Sequence, residues 1–149
     1  MARIAIPDDQ PSIPVELRDA GGNWFEVALS CDTAAQESGG IIADTQVIVD
    51  AFRVVDETGM LASLKVIDED DQGAAITVFF FDADVPLGTE NSPPSISDVA
   101  ARNYLCHVDI ATSDYKDLGG VKVASIAASL VGHGVWAIEG TKNLAVAVL

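Results

Sequence analysis

The run Ile76-Thr77-Val78-Phe79-Phe80-Phe81 constrains the fold more than any other part of the chain. It is strand-sized, apolar apart from Thr77, and made of β-branched and aromatic residues that pack well on a pleated surface. On an extended chain Ile76, Val78 and Phe80 face one way, while Thr77, Phe79 and Phe81 face the other. Both faces are therefore apolar, so a strand here needs cover on both sides, either from its own domain or from a partner.

The rest of the sequence repeats this theme. Ala2–Ile6 alternates and stops at Pro7. The segment 8–14 holds Pro11 and Pro14, which remove ladder donors, so it is expected to be an extended arm. Val15–Arg18 and Trp24–Cys31 are strand candidates around an Ala20-Gly21-Gly22-Asn23 turn, and Asp32–Gly40 is a loop. Ile41–Asp56 is the longest extended candidate, and Glu57-Thr58-Gly59 is expected to turn it into Met60–Ile67. A charged turn, Asp68–Gly73, precedes the central run. Ala83–Pro94 is a long loop. Ser97 is a plausible N-cap for two helical turns over 98–103. Tyr104–Ala111, Val121–Leu130, Val135–Ile138 and Leu144–Leu149 complete the strand candidates, with turns at Gly119-Gly120, Gly132-His133-Gly134 and Gly140. Roughly eight to ten strands at spacings of about eight to twelve residues predict an all-β, antiparallel sandwich of jelly-roll type with one short helix. The expected organisation is an arm over 1–14 and one sandwich domain over 15–149.

Composition narrows the function. The chain has 149 residues, a net charge of −15 and 49% hydrophobic residues. That apolar fraction is too high for a disordered acidic tail. The charge argues against nucleic-acid or anionic-membrane binding, because phosphate contacts need clustered Lys and Arg. No apolar stretch reaches the ~20 residues of a membrane span. The N-terminal stretch to Pro7 is too short for a signal h-region, so synthesis in a cytoplasm is expected. Cys31 and Cys106 both sit in apolar segments and are expected to be buried free thiols rather than a bridge.

Motifs that carry chemistry are weak. Asp68 to Gly73 matches the start of a calcium-binding loop, with Asp68, Asp70, Gln72 and Gly73 in order. The bidentate glutamate position is Phe79, and flanking helices are missing, so a solvated turn is expected. Asp82 and Asp84 share a face of an extended chain but lack a histidine or third ligand. Cys106 and His107 are strand neighbours and must point to opposite faces, which rules them out as a nucleophile pair. His133 sits between glycines in a turn. No nucleophile elbow, phosphate loop or dinucleotide fingerprint occurs. No catalytic, cofactor or metal residues are assigned, and the chain is expected not to be an enzyme. The aromatic residues lack the basic neighbours of a nucleic-acid stacking platform, so core and interface packing suits them better.

Several segments in order resemble small tailed-phage virion proteins. They are Phe52-Arg53-Val54-Val55-Asp56-Glu57-Thr58-Gly59 with Leu61 and Leu64; Val78-Phe79-Phe80-Phe81-Asp82-Ala83-Asp84-Val85-Pro86 with Asn91; and Ile96-Ser97-Asp98. Next come Leu105-Cys106-His107-Val108-Asp109-Ile110, then Tyr115-Lys116-Asp117-Leu118-Gly119-Gly120, then the closing run Leu144–Leu149. Together they span roughly residues 40–149, and the first 40 residues carry no resemblance. The family comprises capsid decoration, or cement, proteins with jelly-roll sandwiches. The resemblance implies a virion protein on the outer surface of the head, acting as a homo-oligomer (dimer or trimer) that clamps major capsid protein subunits. It implies no cofactor and no catalytic residue.

On that reading the expected partner contacts are Pro7, Pro11, Ile13 and Pro14 in the arm, and Phe79 and Phe81 in the central run. A head–tail or tail protein is one alternative. The other is a carbohydrate-binding sandwich, with Trp24 or Trp136 stacking on sugar rings near Asp82 and Asp84. The charge is uneven: residues 1–75 carry 15 acidic and 4 basic residues, and residues 76–149 carry 8 and 4.

Overall fold

The computed structural model describes residues 12–18, 24–30, 40–61, 63–69, 71–126 and 134–149, with the first two segments described through their backbone alone. The described residues form an all-β, antiparallel sandwich. Its strands are β1 (Ser12–Arg18), β2 (Trp24–Ser30), β3 (Ala43–Ile48), β4 (Thr58–Met60), β5 (Leu64–Asp68) and β6 (Ile76–Phe81). They continue with β7 (Tyr104–Ile110), β8 (Tyr115–Asp117), β9 (Lys122–Ile126), β10 (Gly134–Trp136) and β11 (Leu144–Val148).

The pairing is nested. β3 pairs β11, β4 pairs β10, β5 pairs β9, and β6 pairs β7, all antiparallel. A long two-stranded ribbon wrapped on itself gives this pattern, which is how a jelly roll is built. Wrapping brings β11 beside β6, so one sheet reads β3-β11-β6-β7 and the facing sheet reads β5-β9-β8. The β4–β10 pair and the β1–β2 hairpin stand as two-stranded ladders, and β1 runs close to β5.

Between the two sheets lies one apolar core. Val78, Phe80, Val108, Ile110, Val146 and Val148 enter it from the larger sheet, and Leu64, Val66, Ala124 and Ile126 from the smaller. The other face of the larger sheet is buried as well. There Phe81, Ala145 and Ala147 lie under Val85 and Leu87 of the segment that follows β6. The register explains the alanines: Ala145 stands opposite Phe81 and Ala147 opposite Phe79. Small residues facing rings leave room for the stacked Phe79 and Phe81, whose centroids are 6.4 Å apart, and for the covering segment. All five residues of β11 are buried, which matches its uninterrupted Leu-Ala-Val-Ala-Val sequence.

The covering segment, 82–103, is fastened by hydrogen bonds rather than by regular structure. Asp44 on β3 accepts from the Leu87 amide at 2.7 Å and from the Thr45 amide at 2.8 Å through the same Oδ1. The Thr45 hydroxyl donates to the Val85 carbonyl. Ile41 and the loop exchange two backbone bonds, Ile41 N–H to Ser92 at 3.0 Å and Asn91 N–H to Ile41 at 2.8 Å. Asn91 takes the left-handed conformation at φ 59°, which asparagine tolerates well.

Four sequence expectations change. The predicted strand over Ile41–Asp56 is shortened to Ala43–Ile48, because Asp50 turns the chain at φ 55° and buried Phe52 holds 51–56 in an irregular course. The predicted turn at Glu57–Gly59 lies earlier, at 53–56. The Glu57 carboxylate accepts from the Arg53 and Val54 amides, and Gly59 joins β4 under the Phe52 ring, where a Cβ would come within 3.2 Å. The helix is a single 3₁₀ turn, Ala100–Asn103; the Ser97 hydroxyl does accept from the Ala100 amide, but β7 claims the chain at once. Finally, β1 begins at Ser12, so Ile13 and Pro14 belong to a ladder. Pro14 stands opposite Ala28, a position an edge strand permits because the missing donor costs the sheet no interior bond.

Removing the Asp44 anchor should loosen the cover. Asp44→Ala should lower unfolding stability by about 1.5–3 kcal/mol, the scale of hydrogen bonds to a charged group. Urea denaturation with dye binding should show a lower midpoint and more exposed apolar surface; an unchanged midpoint would mean the cover is held by packing alone.

Candidate functional site

The covering segment does not close the outer face of the larger sheet completely. Beside it runs an apolar groove of about 290 Å³, lined by Phe79, Phe81, Leu87, Pro94, Ile96, Ala101, Tyr104 and Leu149. Phe79 and Tyr104 form its aromatic wall, with ring centroids 6.4 Å apart. The rim stays open to solvent: Ile96 is 37% exposed, Tyr104 40%, and Val99 on the same segment 69%. Contiguous exposed apolar surface next to a groove is unusual on an isolated domain and marks contact surfaces. The local sequence builds it. Pro93 and Pro94 keep the chain extended, and the Ser97-capped turn ends the segment before its apolar residues can fold inward.

The expected contact residues separate. Phe79 and Phe81 both line the groove, with Phe79 half-buried and Phe81 1% exposed beneath Val85 and Leu87. Ile13 and Pro14 lie in β1, and Pro7 and Pro11 fall outside the described residues. Reading the sequence missed Ile96, Val99 and Tyr104. The sequence placed Val99 in a helical stretch and Tyr104 at the start of a strand, and neither local reading shows that they share a surface with Ile96.

A second concavity has different chemistry. An open cleft of about 700 Å³ is lined by Asp56, Asp82, Asn103, Leu105, Trp136 and Glu139, with Ala83, Ala137 and Ile138. Trp136 is 47% exposed there. Asp82 Oδ1 is buried with no hydrogen-bond partner, while Asp56 Oδ1 is committed to the Gly140 amide at 2.5 Å. The fold thus brings Asp82 and Trp136 together, and leaves Asp84 exposed outside the lining. Trp24 opens β2, and its side chain is outside the description.

The remaining motifs resolve into structural roles. In the acidic turn, Asp68 accepts from the Gly73 amide at 2.5 Å. The Lys122 ammonium donates to the Asp71 carbonyl and sits 3.6 Å from its carboxylate, so a side-chain cation already occupies that flank of the turn. Among the described residues no three His, Cys, Asp or Glu side chains gather as a metal-binding group. His133 and Cys31 fall outside the described residues. Cys106 is 4% exposed and points into the core, while His107 points outward, where the Tyr104 hydroxyl meets its Nδ1 and Asp109 lies 3.6 Å from its Nε2. Among the described residues no helix is long and apolar enough to cross a membrane.

Burial pushes the Cys106 thiol up to about 11 and, with help from the Asp68 and Asp114 carboxylates, the Tyr115 hydroxyl up to about 12. Both groups keep their protons in the folded state at a pH where the unfolded chain, with pKa values near 9 and 10, has begun to lose them. Their stabilisation is therefore complete below pH 9 and is lost as pH climbs through the folded values. The melting temperature should fall above pH 9, and the fall should be shallower in the double variant Cys106→Val, Tyr115→Phe; an equal fall in both proteins would assign the alkaline loss to other groups. Comparison with known protein families, curated proteins and solved structures finds no match.

Proposed function

We propose that the protein is a capsid decoration (cement) protein that binds the outer surface of a phage head and stabilises contacts between capsid subunits. The observation that carries this reading is the apolar groove with its exposed Ile96 and Tyr104, together with the exposed Val99 on the same segment. A protein whose work is to seal subunit junctions needs such surface, since stable contacts bury roughly 1,200–2,000 Å² each. The jelly-roll wrapping is in keeping with the sequence resemblance. The net charge of −15 fits a location outside a DNA-filled shell and would favour approach to basic capsid patches.

A carbohydrate-binding role is the second reading. It rests on the cleft that places the exposed Trp136 indole beside Asp82, Asn103 and Glu139. Aromatic stacking with convergent polar groups is the usual architecture of a small-ligand site.

Sedimentation with assembled, expanded capsids tests the first reading. The protein should co-sediment with shells and not with free capsid subunits. Val99→Asp should weaken that binding by about tenfold, the effect of a charge within an apolar contact, with an unchanged melting temperature because Val99 is exposed. Co-sedimentation with tails alone would move the protein to the tail. A glycan screen with binding lost in Trp136→Ala would establish the second reading instead.

A further inference from the structure

β7 is the outermost strand of the larger sheet among the described residues. β10 lies close to it without joining its ladder, so among the described residues this edge has no strand partner. It has seven residues with neither proline nor lysine, the usual guards of an exposed edge. The facing sheet ends in β8, only three residues long.

The hydrogen-bond phase of β7 follows from its neighbours. Thr77 and Leu149 exchange both backbone bonds, at 2.8 and 2.9 Å, so the odd-numbered residues of β6 direct their polar groups towards β11. The even-numbered residues, Ile76 and Val78, then bond β7 through their partners Ile110 and Val108. His107 and Asp109 are left with their amides and carbonyls pointing away from the sheet.

An antiparallel copy of β7 can satisfy those groups in several registers. With a two-fold axis at His107, the two imidazoles oppose each other. With the axis at Val108, His107 of each copy lies across from Asp109 of the other, and each pair exchanges two backbone bonds. The second register sets the His107 imidazole against the Asp109 carboxylate in both outer-face pairs, a hydrogen-bond donor facing an acceptor across the ladder. On the inner face it aligns Val108 with Val108 and Cys106 with Ile110, which are all apolar. Two chains of net charge −15 repel each other, so self-association needs an edge that is low in charge, and β7 carries a single carboxylate, Asp109.

The geometry points to β7 as a self-pairing edge that joins two copies of this chain into a continuous eight-stranded sheet about a two-fold axis at Val108. This edge adjoins the groove, since Tyr104 of β7 lines the groove and its hydroxyl meets His107 Nδ1, but the proposal stands or falls without the capsid.

Concentration-dependent hydrogen exchange and sedimentation equilibrium test it together. The chain should dimerise, and the amides of His107 and Asp109 should gain protection as the dimer forms, while those of Val108 and Ile110 are protected throughout by β6. His107→Asp, which sets carboxylates against each other in both pairs, should weaken the dimer by about tenfold. The double variant His107→Asp, Asp109→His, which again sets an imidazole against each carboxylate, should recover most of that loss. A protein that stays monomeric across the micromolar range would overturn the proposal. So would a dimer in which the two amides exchange freely, or one indifferent to the charge reversal.

Discussion

The structure depends on one strand pair, β6 with β11, being buried on both faces. Phe80 and Val146 fill the space between the sheets, while Phe81 and Ala145 fill the space beneath the covering segment. The same ladder therefore closes two cores. Neither could be filled without the alternation of large and small residues across it, since Phe opposite Phe on the outer face would leave no depth for Val85 and Leu87. The covering segment in turn depends on β3, whose Asp44 gives the loop a fixed point that its own irregular backbone could not provide.

Much of this was legible in the sequence, and what was not has a physical cause. The double-faced burial of Ile76–Phe81 follows from its having Thr77 as its one polar residue, and the buried β11 from Leu-Ala-Val-Ala-Val. The outward His107 and inward Cys106 follow from the two-residue period of a strand. Strand ends were less legible. A run such as Ile41–Asp56 is apolar enough for a strand throughout, yet Asp50 and Asp56 adopt left-handed turns that an aspartate permits without announcing. Gly59 looks like a turn residue but is used for close approach, because its missing Cβ admits the Phe52 ring. The groove was hidden because its wall comes from β6 and β7 and its rim from the segment between them. That is a tertiary arrangement that no local pattern encodes.

The two concavities divide the molecule by chemistry. On the outer face of the larger sheet, aromatic and aliphatic surface is left accessible beside a well-fastened loop. Near β10, carboxylates surround an indole. Both borrow residues from the segment between β6 and β7: Leu87, Pro94, Ile96 and Ala101 on one side, Asp82, Ala83 and Asn103 on the other. One long connection, tied to β3 at its middle, thus furnishes the candidate recognition surfaces, as expected when a rigid sandwich presents loops.

The nested pairing also sets the order in which the fold can form. β11 is the strand between β3 and β6, so neither of them has its full complement of ladder partners until β11 arrives. Its contacts join residues as distant in sequence as Val47 and Ala145. Loop closure on that scale must precede most of the stabilising contacts, which makes for slow folding. During that wait Phe79, Phe80 and Phe81 lack their cover, an adhesive strand in an incomplete chain. The acidic residues concentrated ahead of it, and above all the Asp68–Asp71 turn immediately before it, then act as a kinetic safeguard: like charge keeps unfinished chains apart until β11 inserts.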